Sequence, residues 1–568
     1  MNDFNFRVGG AAGQGVQTIG YVLAKTLARG NLSIHLSQDY ESRIRGGHNF
    51  TDIRVSEEPL YGSTERVDLL IALNGETLEK HQAALSSKGV AIFDAENNGL
   101  DASKPYEFNV PFERIAVETA GNKIFSNTTA TGAALSLVGY DLDYLREVLI
   151  ETFKAKSIKV AEDNIRAAEA GYRYVEKNFK GETALKLKPV KGQRRMLING
   201  NESLSLGALA AGCKFMSGYP MTPSTGILQY LMNQRIIAEQ GEDEIAAINM
   251  AIGAGFTGVR SMVATSGGGF SLMVEALGLA AMTETPVVIV LGQRPGPATG
   301  FPTRTAQSEL EFVMHAAQGE FARAVLAPRD AEDVFYLIAK AFNIAERYQI
   351  PVIVLTDQFL ADSYWTIPPF EFSTIQIDRG ALLTEEEATK IKDYARYRFT
   401  ESGISPRALP GYKDVLVVAD SDEHTEQGHI TESAEIRVKM ADKRVWKTRG
   451  LEKEFTPLSY GPEEAKTVLL GWGSTYGALR EAVDRLNQKS RRVRMVHLNA
   501  IWPFPTEAVQ EMLKDSEKRI MVEGNAIGQL ARVIRTETGV EMTGKILRYD
   551  GRPITADYVV RSFGEAVK

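Results

Sequence analysis

Cysteine is almost missing from this chain: Cys213 is the only one in 568 residues. One thiol cannot hold a four-cysteine iron–sulfur cluster. An electron-carrying cluster in this protein's chemistry would therefore sit on another polypeptide. Cys213 follows Ala210-Ala211-Gly212 and reads as a small packing residue at a helix end, not as a nucleophile. Long apolar runs are missing too. None approaches the roughly 20 residues that span a bilayer, so no membrane partner is expected. The opening Met1-Asn2-Asp3-Phe4-Asn5-Phe6-Arg7 lacks a leader's basic and apolar regions, which points to the cytoplasm. Basic runs are short and the net charge is −7, which argues against nucleic acid as the main partner. What remains is ordinary globular composition, 44% apolar and 24% charged, at a length that suits three or four domains.

The informative residues are concentrated between 218 and 307. Gly218-Tyr219-Pro220-Met221-Thr222-Pro223-Ser224-Thr225 places two residues before prolines, where extended backbone is favoured. Pro223 suits the first position of a helix and Thr222 its N-cap, ahead of Ile227, Leu228, Leu231 and Met232. A helix N-terminus with a hydroxyl beside it can receive a small anion. Glu242-Asp243-Glu244 opens an Ala/Gly-rich helix able to approach a neighbour closely. Ser261 to Ala264 reads as a strand, and Thr265-Ser266-Gly267-Gly268-Gly269 as a tight turn into the helix Phe270 to Thr283. Pro286 to Leu291 is a near-continuous apolar run, the signature of a buried parallel strand. The loop beyond it begins with Arg294, followed by four glycines and prolines in six residues. Loops at the carboxyl ends of strands are where open α/β sheets bind ligands, and arginine is a bidentate partner for a carboxylate.

Four separated motifs in this order resemble the α subunit of the 2-oxoacid:ferredoxin oxidoreductases, in the form with a γ domain fused ahead of α. The resemblance covers nearly the whole chain. It implies an enzyme of several α/β domains that uses thiamine diphosphate, coenzyme A and iron–sulfur clusters. Residues 1–180 would be the γ domain, 181–195 a lysine-rich linker, and 196–460 a thiamine-diphosphate pyrimidine-binding domain on a parallel sheet, with an irregular extension from about 366. Residues 461–568 would be a transketolase C-terminal-like α/β domain.

In the first domain, the strand Asn5 to Val8, the turn Gly9-Gly10-Ala11-Ala12-Gly13-Gln14-Gly15 and the helix Val16 to Arg29 form a phosphate-cradling arrangement. Alone it also fits a dinucleotide-binding domain, with Asp39 or Glu41 as a loosely spaced ribose ligand. Together with Ser42-Arg43-Ile44-Arg45-Gly46-Gly47-His48 it resembles the γ domain. That resemblance implies coenzyme A contact by Gly13 and Gly15, with Arg43 and Arg45 meeting its phosphates. His48 reads equally as structural. His424 and His429 stand among four acids, without regular metal-ligand spacing, so no metal is assigned to this chain.

The resemblance also implies roles. Glu244 matches the glutamate that tunes the cofactor's aminopyrimidine through N1′, with Tyr219 and Pro220 beside that ring. Arg294 and Thr222 match positions that bind the substrate carboxylate; Glu242, Arg304 and Gln307 are weaker candidates. Mg²⁺ and the diphosphate are held in such enzymes by an acidic Gly-Asp-Gly motif followed by Asn, which this chain lacks. A β subunit would bring that half-site and a [4Fe-4S] cluster, and the electrons would pass to ferredoxin. The expected substrate is 2-oxoglutarate, with pyruvate or a broader 2-oxoacid range as the alternative. Two other readings are a nucleotide-dependent dehydrogenase built on the Gly9–Gly15 loop and a non-catalytic binding subunit. Calorimetry separates the first of these: the isolated chain is expected to bind no NAD(P), and thiamine diphosphate only after the β subunit is added.

Overall fold

The computed structural model describes residues 3–43, 46–98, 102, 104–155, 157–183 and 186–567. They fall into two compact units. The first spans Met1–Ile198, Asp362–Pro369 and Thr555–Asp557; the second spans Asn199–Ala361, Phe370–Ile554 and Tyr558–Lys568. The architecture is α/β throughout, as the alternation of apolar strands and helical patterns predicts.

The first unit is built on one eight-stranded sheet. Its strands lie in the order Glu107–Asn109, Leu85–Phe93, Val67–Ala72, Asp3–Ala11, His48–Ser56, Ser33–Asp39, Tyr364–Ile367 and Met196–Asn199. Asp3–Ala11 runs parallel to Val67–Ala72 and antiparallel to His48–Ser56. Tyr364–Ile367 arrives from far along the chain and pairs antiparallel with Ser33–Asp39, Tyr364 opposite Leu36 and Trp365 opposite His35. The helix Val16–Arg29 begins at Gly15, whose φ of 77° is left-handed and suits glycine. Two described residues of the expected 181–195 linker pack on the first unit. Leu187 is buried and its N–H bonds the Val138 carbonyl at 2.9 Å, while the Val190 N–H bonds that of Gly30 at 2.8 Å.

The second unit contains two sheets. The larger orders Ala500–Trp502, Ala324–Leu326, Pro351–Asp357, Val287–Gln293, Ser261–Ser266, Phe215–Gly218 and Ile237–Gln240. It is parallel except for its first strand, which is antiparallel to Ala324–Leu326. Every residue of Val287–Gln293 and of Pro351–Asp357 is buried, as continuous apolar runs in a sheet covered on both faces require. The smaller sheet orders Leu458–Tyr460, Val493–Leu498, Thr467–Trp472, Lys518–Glu523 and Gly544–Leu547, with only the first strand antiparallel. One apolar core joins the two sheets through Ile289, Leu291, Trp472, Leu498 and Met521. Gln307 ties them with polar contacts: its side chain donates to the Trp472 carbonyl at 2.9 Å and accepts from the Gly524 N–H at 2.9 Å.

Two expectations change here. The helix after Pro223 does not begin at Pro223 with Thr222 as its cap. It runs Thr225–Leu231, because a turn closed by the Ser224 N–H on the Met221 carbonyl at 2.9 Å comes first, and the Thr222–Pro223 bond within it is cis. The extension beyond residue 366 is mostly irregular, yet it holds a 13-residue helix, Ala434–Trp446. That helix has a thin apolar stripe. It buries Met440 together with Lys443 and Arg444, polar residues that hydrophobic periodicity passes over.

Those buried cations are paired. Lys443 reaches Glu284 at 2.5 Å, Lys447 reaches the same carboxylate at 2.8 Å, and all three side chains are almost fully enclosed. The two ammonium groups hold the Glu284 carboxyl well below the usual carboxylate range, against the opposing effect of burial. Removing one member of such a group strands the others in low dielectric. Glu284→Ala is therefore expected to cost about 3–5 kcal/mol of stability, read from the shift of a urea unfolding curve. A loss under about 1 kcal/mol would show that water replaces the carboxylate without difficulty.

Candidate functional site

Three strands of the larger sheet end side by side at their carboxyl termini, at Gly218, Ser266 and Gln293. The loops leaving them form a crest of contiguous contacts. Arg294 donates from Nη1 to the Thr222 carbonyl at 2.9 Å. Pro223 and Ser224 pack on Gly292, where a Cβ would stand 2.7 Å from Ser224 Oγ. Ser224 Oγ in turn donates to the Thr265 carbonyl. Beyond Thr265 the glycine triplet opens the helix Gly267–Met282, and Glu244 lies against it. A Cβ on Gly269 would overlap Thr265 Oγ1 and stand 2.7 Å from Glu244 Oε1. Arg294, Thr222 and Glu244 thus lie along one line of neighbouring residues.

Glu244 is the first residue of the helix Glu244–Phe256, whose N-cap is Asp243; the Asp243 carboxylate accepts from the Ala246 N–H at 2.7 Å. That position favours a negative charge through the helix dipole. Yet Glu244 is only 4% exposed, and its Oε1 has no hydrogen-bond partner. Ser266 is fully buried and its Oγ also lacks a partner. Gly268, two residues after Ser266 and next to Gly269, is different: nothing lies within 4 Å of the place its Cβ would take. Buried polar atoms in proteins are nearly always bonded. Two orphans beside an open backbone edge mark a surface shaped for a polar ligand. Arg294 is partly buried, and desolvation lowers its pKa; among the described residues it forms no ion pair.

The remaining sequence candidates are placed differently. Tyr219 and Pro220 are exposed beyond the strand Phe215–Gly218. Glu242 is exposed. Arg304 packs against Gly551 instead of joining the crest. Gln307 is engaged between the two sheets. Cys213 is buried, and burial pushes its thiol up to about 12, which leaves no thiolate to react. His424 is buried against the Tyr397 ring at 4.1 Å, whereas His429 is exposed. No group of three or more His, Cys, Asp or Glu is placed to hold a metal among the described residues.

In the first unit, Gly13 and Gln14 line a cleft of about 530 Å³ with Asp94, Glu113, Lys123 and Asn127. Gly13 has a φ of 91° and open space around it. Gly15 is held from the side, because a Cβ there would overlap the Asn127 amide, which itself donates to the Gln14 carbonyl at 3.0 Å. Arg43 is mostly exposed and pairs with Glu41 at 3.1 Å; it does not line the cleft. Arg45 lies outside the described residues. His48 is buried in a polar chain. Arg7 pairs with Asp52 at 2.6 Å and donates to His81 Nδ1 at 3.1 Å. An arginine can only donate, so the His81 proton sits on Nε2 and points to His48 Nε2, 2.7 Å away.

Sequence reasoning missed Ser224, the hydroxyl that joins two of the loops, and Glu309, a carboxylate packed on Gly267. For Ser224 a signal was present, a hydroxyl immediately after a proline turn. For Glu309 there was none, since its neighbours come from other elements.

Comparison with known proteins covers most of the chain. Residues 206–443 match the family described as pyruvate flavodoxin/ferredoxin oxidoreductase, thiamine diphosphate-binding; residues 5–174 match pyruvate ferredoxin/flavodoxin oxidoreductase. Residues 465–559 match pyruvate:ferredoxin oxidoreductase core domain II. A 2-oxoacid:ferredoxin oxidoreductase subunit alpha from Sulfolobus sp. is 32% identical over 99% of this chain and 96% of that one. The 2-oxoglutarate oxidoreductase subunit KorA of Mycobacterium tuberculosis is 28% identical over 98% and 90%. Among solved structures, the 2-oxoglutarate:ferredoxin oxidoreductase of Magnetococcus marinus, with 2-oxoglutarate, coenzyme A and succinyl-CoA bound, superposes with a TM-score of 0.93. It is 31% identical and covers 100% of both chains.

The glycine triplet gives a direct test of the crest. Gly269→Ala forces Thr265 and Glu244 apart and is expected to lower stability by about 1–3 kcal/mol. Gly268→Ala meets nothing and should leave the thermal midpoint unchanged or slightly raised. Equal effects of the two substitutions in a melting experiment would refute the packing described.

Proposed function

The chain belongs to the α subunits of the 2-oxoacid:ferredoxin oxidoreductases, and from that premise we propose that it supplies the substrate grip and the pyrimidine side of an active site completed by a β subunit. The reaction is the oxidative decarboxylation of a 2-oxoacid with coenzyme A, giving an acyl-coenzyme A, carbon dioxide and reduced ferredoxin. The observation that carries this reading is the crest itself: an unpaired arginine, a buried carboxylate with an orphan oxygen and an open glycine edge, contiguous at the carboxyl ends of three strands.

The residues present fit thiamine diphosphate on its pyrimidine side. Glu244 Oε1 would accept from a ring nitrogen and hold a proton there. Gly268 offers a backbone edge that a planar ring can approach without meeting a side chain. When bound, thiamine diphosphate supplies the electron sink for the carbon left behind as carbon dioxide departs. Arg294 uses one N–H on the Thr222 carbonyl, which fixes the plane of its guanidinium. Its remaining donors are then set for the substrate carboxylate. The Thr222 hydroxyl, on the residue whose carbonyl orients Arg294, would be a second donor. Burial of Arg294 strengthens the attraction, because a half-dry site screens charge less than water does.

Mg²⁺, the diphosphate and the [4Fe-4S] cluster are assigned to the β subunit, since the sequence has a single thiol and lacks the acidic Gly-Asp-Gly motif. The first unit's glycine loop, with Gly13 and Gly15, is assigned to coenzyme A, with Arg43 and Arg45 as candidates for its phosphates. The proposed substrate is 2-oxoglutarate; what favours it is the relatives named for that acid. The proposed location is the cytoplasm; no helix among the described residues is long and apolar enough to cross a membrane.

The test is turnover of the purified α–β complex with 2-oxoglutarate and with pyruvate, followed by ferredoxin reduction. Faster turnover of 2-oxoglutarate is expected, and preference for pyruvate would move the assignment to the alternative substrate. Arg294→Ala and Glu244→Ala should each lower kcat/KM by about 10²–10³, the second with weaker retention of thiamine diphosphate. Unchanged turnover in both would mean that the crest is a binding surface without a catalytic part.

A further inference from the structure

Glu309 closes the loop that Arg294 opens. Its N–H is held by Gln293 Oε1 at 3.2 Å and its Oε1 accepts from Ser308 Oγ at 3.0 Å. The carboxyl packs on Gly267, where a Cβ would stand 3.1 Å from Oε1. Oε2 is buried and has no partner. The residues that touch or flank it in this network are uncharged. Gly267 has no side chain, Gln293 and Ser308 are uncharged, and Gln529 holds the flanking backbone through the Ser308 carbonyl and the Glu311 N–H. The field of Arg294 acts on Glu309, and among the described residues the two form no ion pair; two residues on, Glu311 is paired with Arg532 at 3.1 Å.

This is an unusual pairing. A half-buried cation and a carboxyl with one enclosed oxygen share one loop without joining. An ionised Glu309 would be held in low dielectric with one oxygen unbonded, which is costly. Burial accordingly pushes the carboxyl up to about 7, against the opposing field of Arg294. In the protonated form it leaves Arg294 with no internal anion to satisfy it.

We propose that Glu309 is a positioning residue that keeps Arg294 free for the 2-oxoacid carboxylate by staying protonated, and that its ionisation switches that grip off. The proposal rests on the reading of Arg294 as the substrate grip. The sign follows directly. Below pH 7 Glu309 is neutral and the only anion beside Arg294 is the substrate. As pH rises through 7 a second negative charge appears there, competing for the guanidinium and repelling the substrate. Affinity for the 2-oxoacid then falls by up to about tenfold per pH unit, while kcat at saturating substrate changes much less.

The experiment is kcat/KM for 2-oxoglutarate with the α–β complex between pH 6 and 9, for wild type, E309Q and E309D. kcat/KM reports ionisations of the free enzyme. Wild type should fall about tenfold across the upper half of that range. E309Q, neutral at every pH, should be flat to within about twofold; E309D, with a shorter and better hydrated carboxyl, should fall at lower pH. Titration with glutarate, which cannot react, in buffers of different ionisation enthalpy should show proton uptake on binding at pH 7.5 for wild type and none for E309Q. If E309Q keeps the wild-type profile and proton uptake, this inference is overturned while the proposed function stands. If E309Q does not fold, an unmoved profile in E309D overturns it. If the wild-type complex turns over no 2-oxoacid, the proposed function fails and this inference with it.

Discussion

A buried carboxylate beside a helix that has no side chain to oppose it governs the second unit. Glu244 can sit where it does because Gly269 leaves room for it; any larger residue would collide with Thr265 and with Glu244 itself. The dipole of the helix it begins favours its charge, yet Oε1 has no partner. Local stability would be better served by a bonded or apolar residue. Such departures from consistency are where function is expected in a folded chain. The crest is organised round this one: Ser224 fixes the Pro223 turn to the strand below, and that turn presents the carbonyl that orients Arg294.

The smaller sheet of the second unit places no side chain on the crest. Its contribution is mechanical. The loop from Arg294 to Glu309 is held at its start by the strand Val287–Gln293 and towards its end by Gln307, which is bonded to residues 472 and 524. Asp357 at the end of the neighbouring strand accepts from Ser474, a second tie of the same kind. A long Gly/Pro-rich loop would otherwise sample many conformations, each a loss to a site that must be ready before its ligand arrives. Two polar ties and a shared apolar core remove that freedom.

Much of this was legible in the residues. The runs Pro286–Leu291 and Pro351–Asp357 announce central parallel strands because every position faces a covered side. The crest was legible because Gly, Pro, Thr and Arg cluster where strands give way to loops. What was hidden depends on distant partners. Lys443 and Arg444 look like a solvated helix face until Glu284 and Glu423 are seen beside them. Thr222 looks like a cap, and only the turn closed at Ser224 shows that the helix starts later. Glu309 follows a polar stretch without any pattern; Gly267, remote in sequence, and Arg294, at the other end of the same loop, decide its chemistry. Tyr364–Ile367 falls where the sequence pattern turns irregular, and nothing in it says that it joins a sheet begun more than three hundred residues earlier.

That returning strand has a consequence for the first unit. Ser33–Asp39 pairs with His48–Ser56 on one side and with Tyr364–Ile367 on the other, and Thr366 Oγ1 takes the Ile34 N–H at 2.8 Å. Were the chain cut soon after residue 198, the fragment would keep its core but lose that cover. A row of unpaired amide and carbonyl groups would lie open to solvent, the template on which identical chains add strand to strand. Tyr364–Ile367 therefore acts as a seam, stitching Ser33–Asp39 to the outermost strand Met196–Asn199 and closing a border that would otherwise unravel into aggregates.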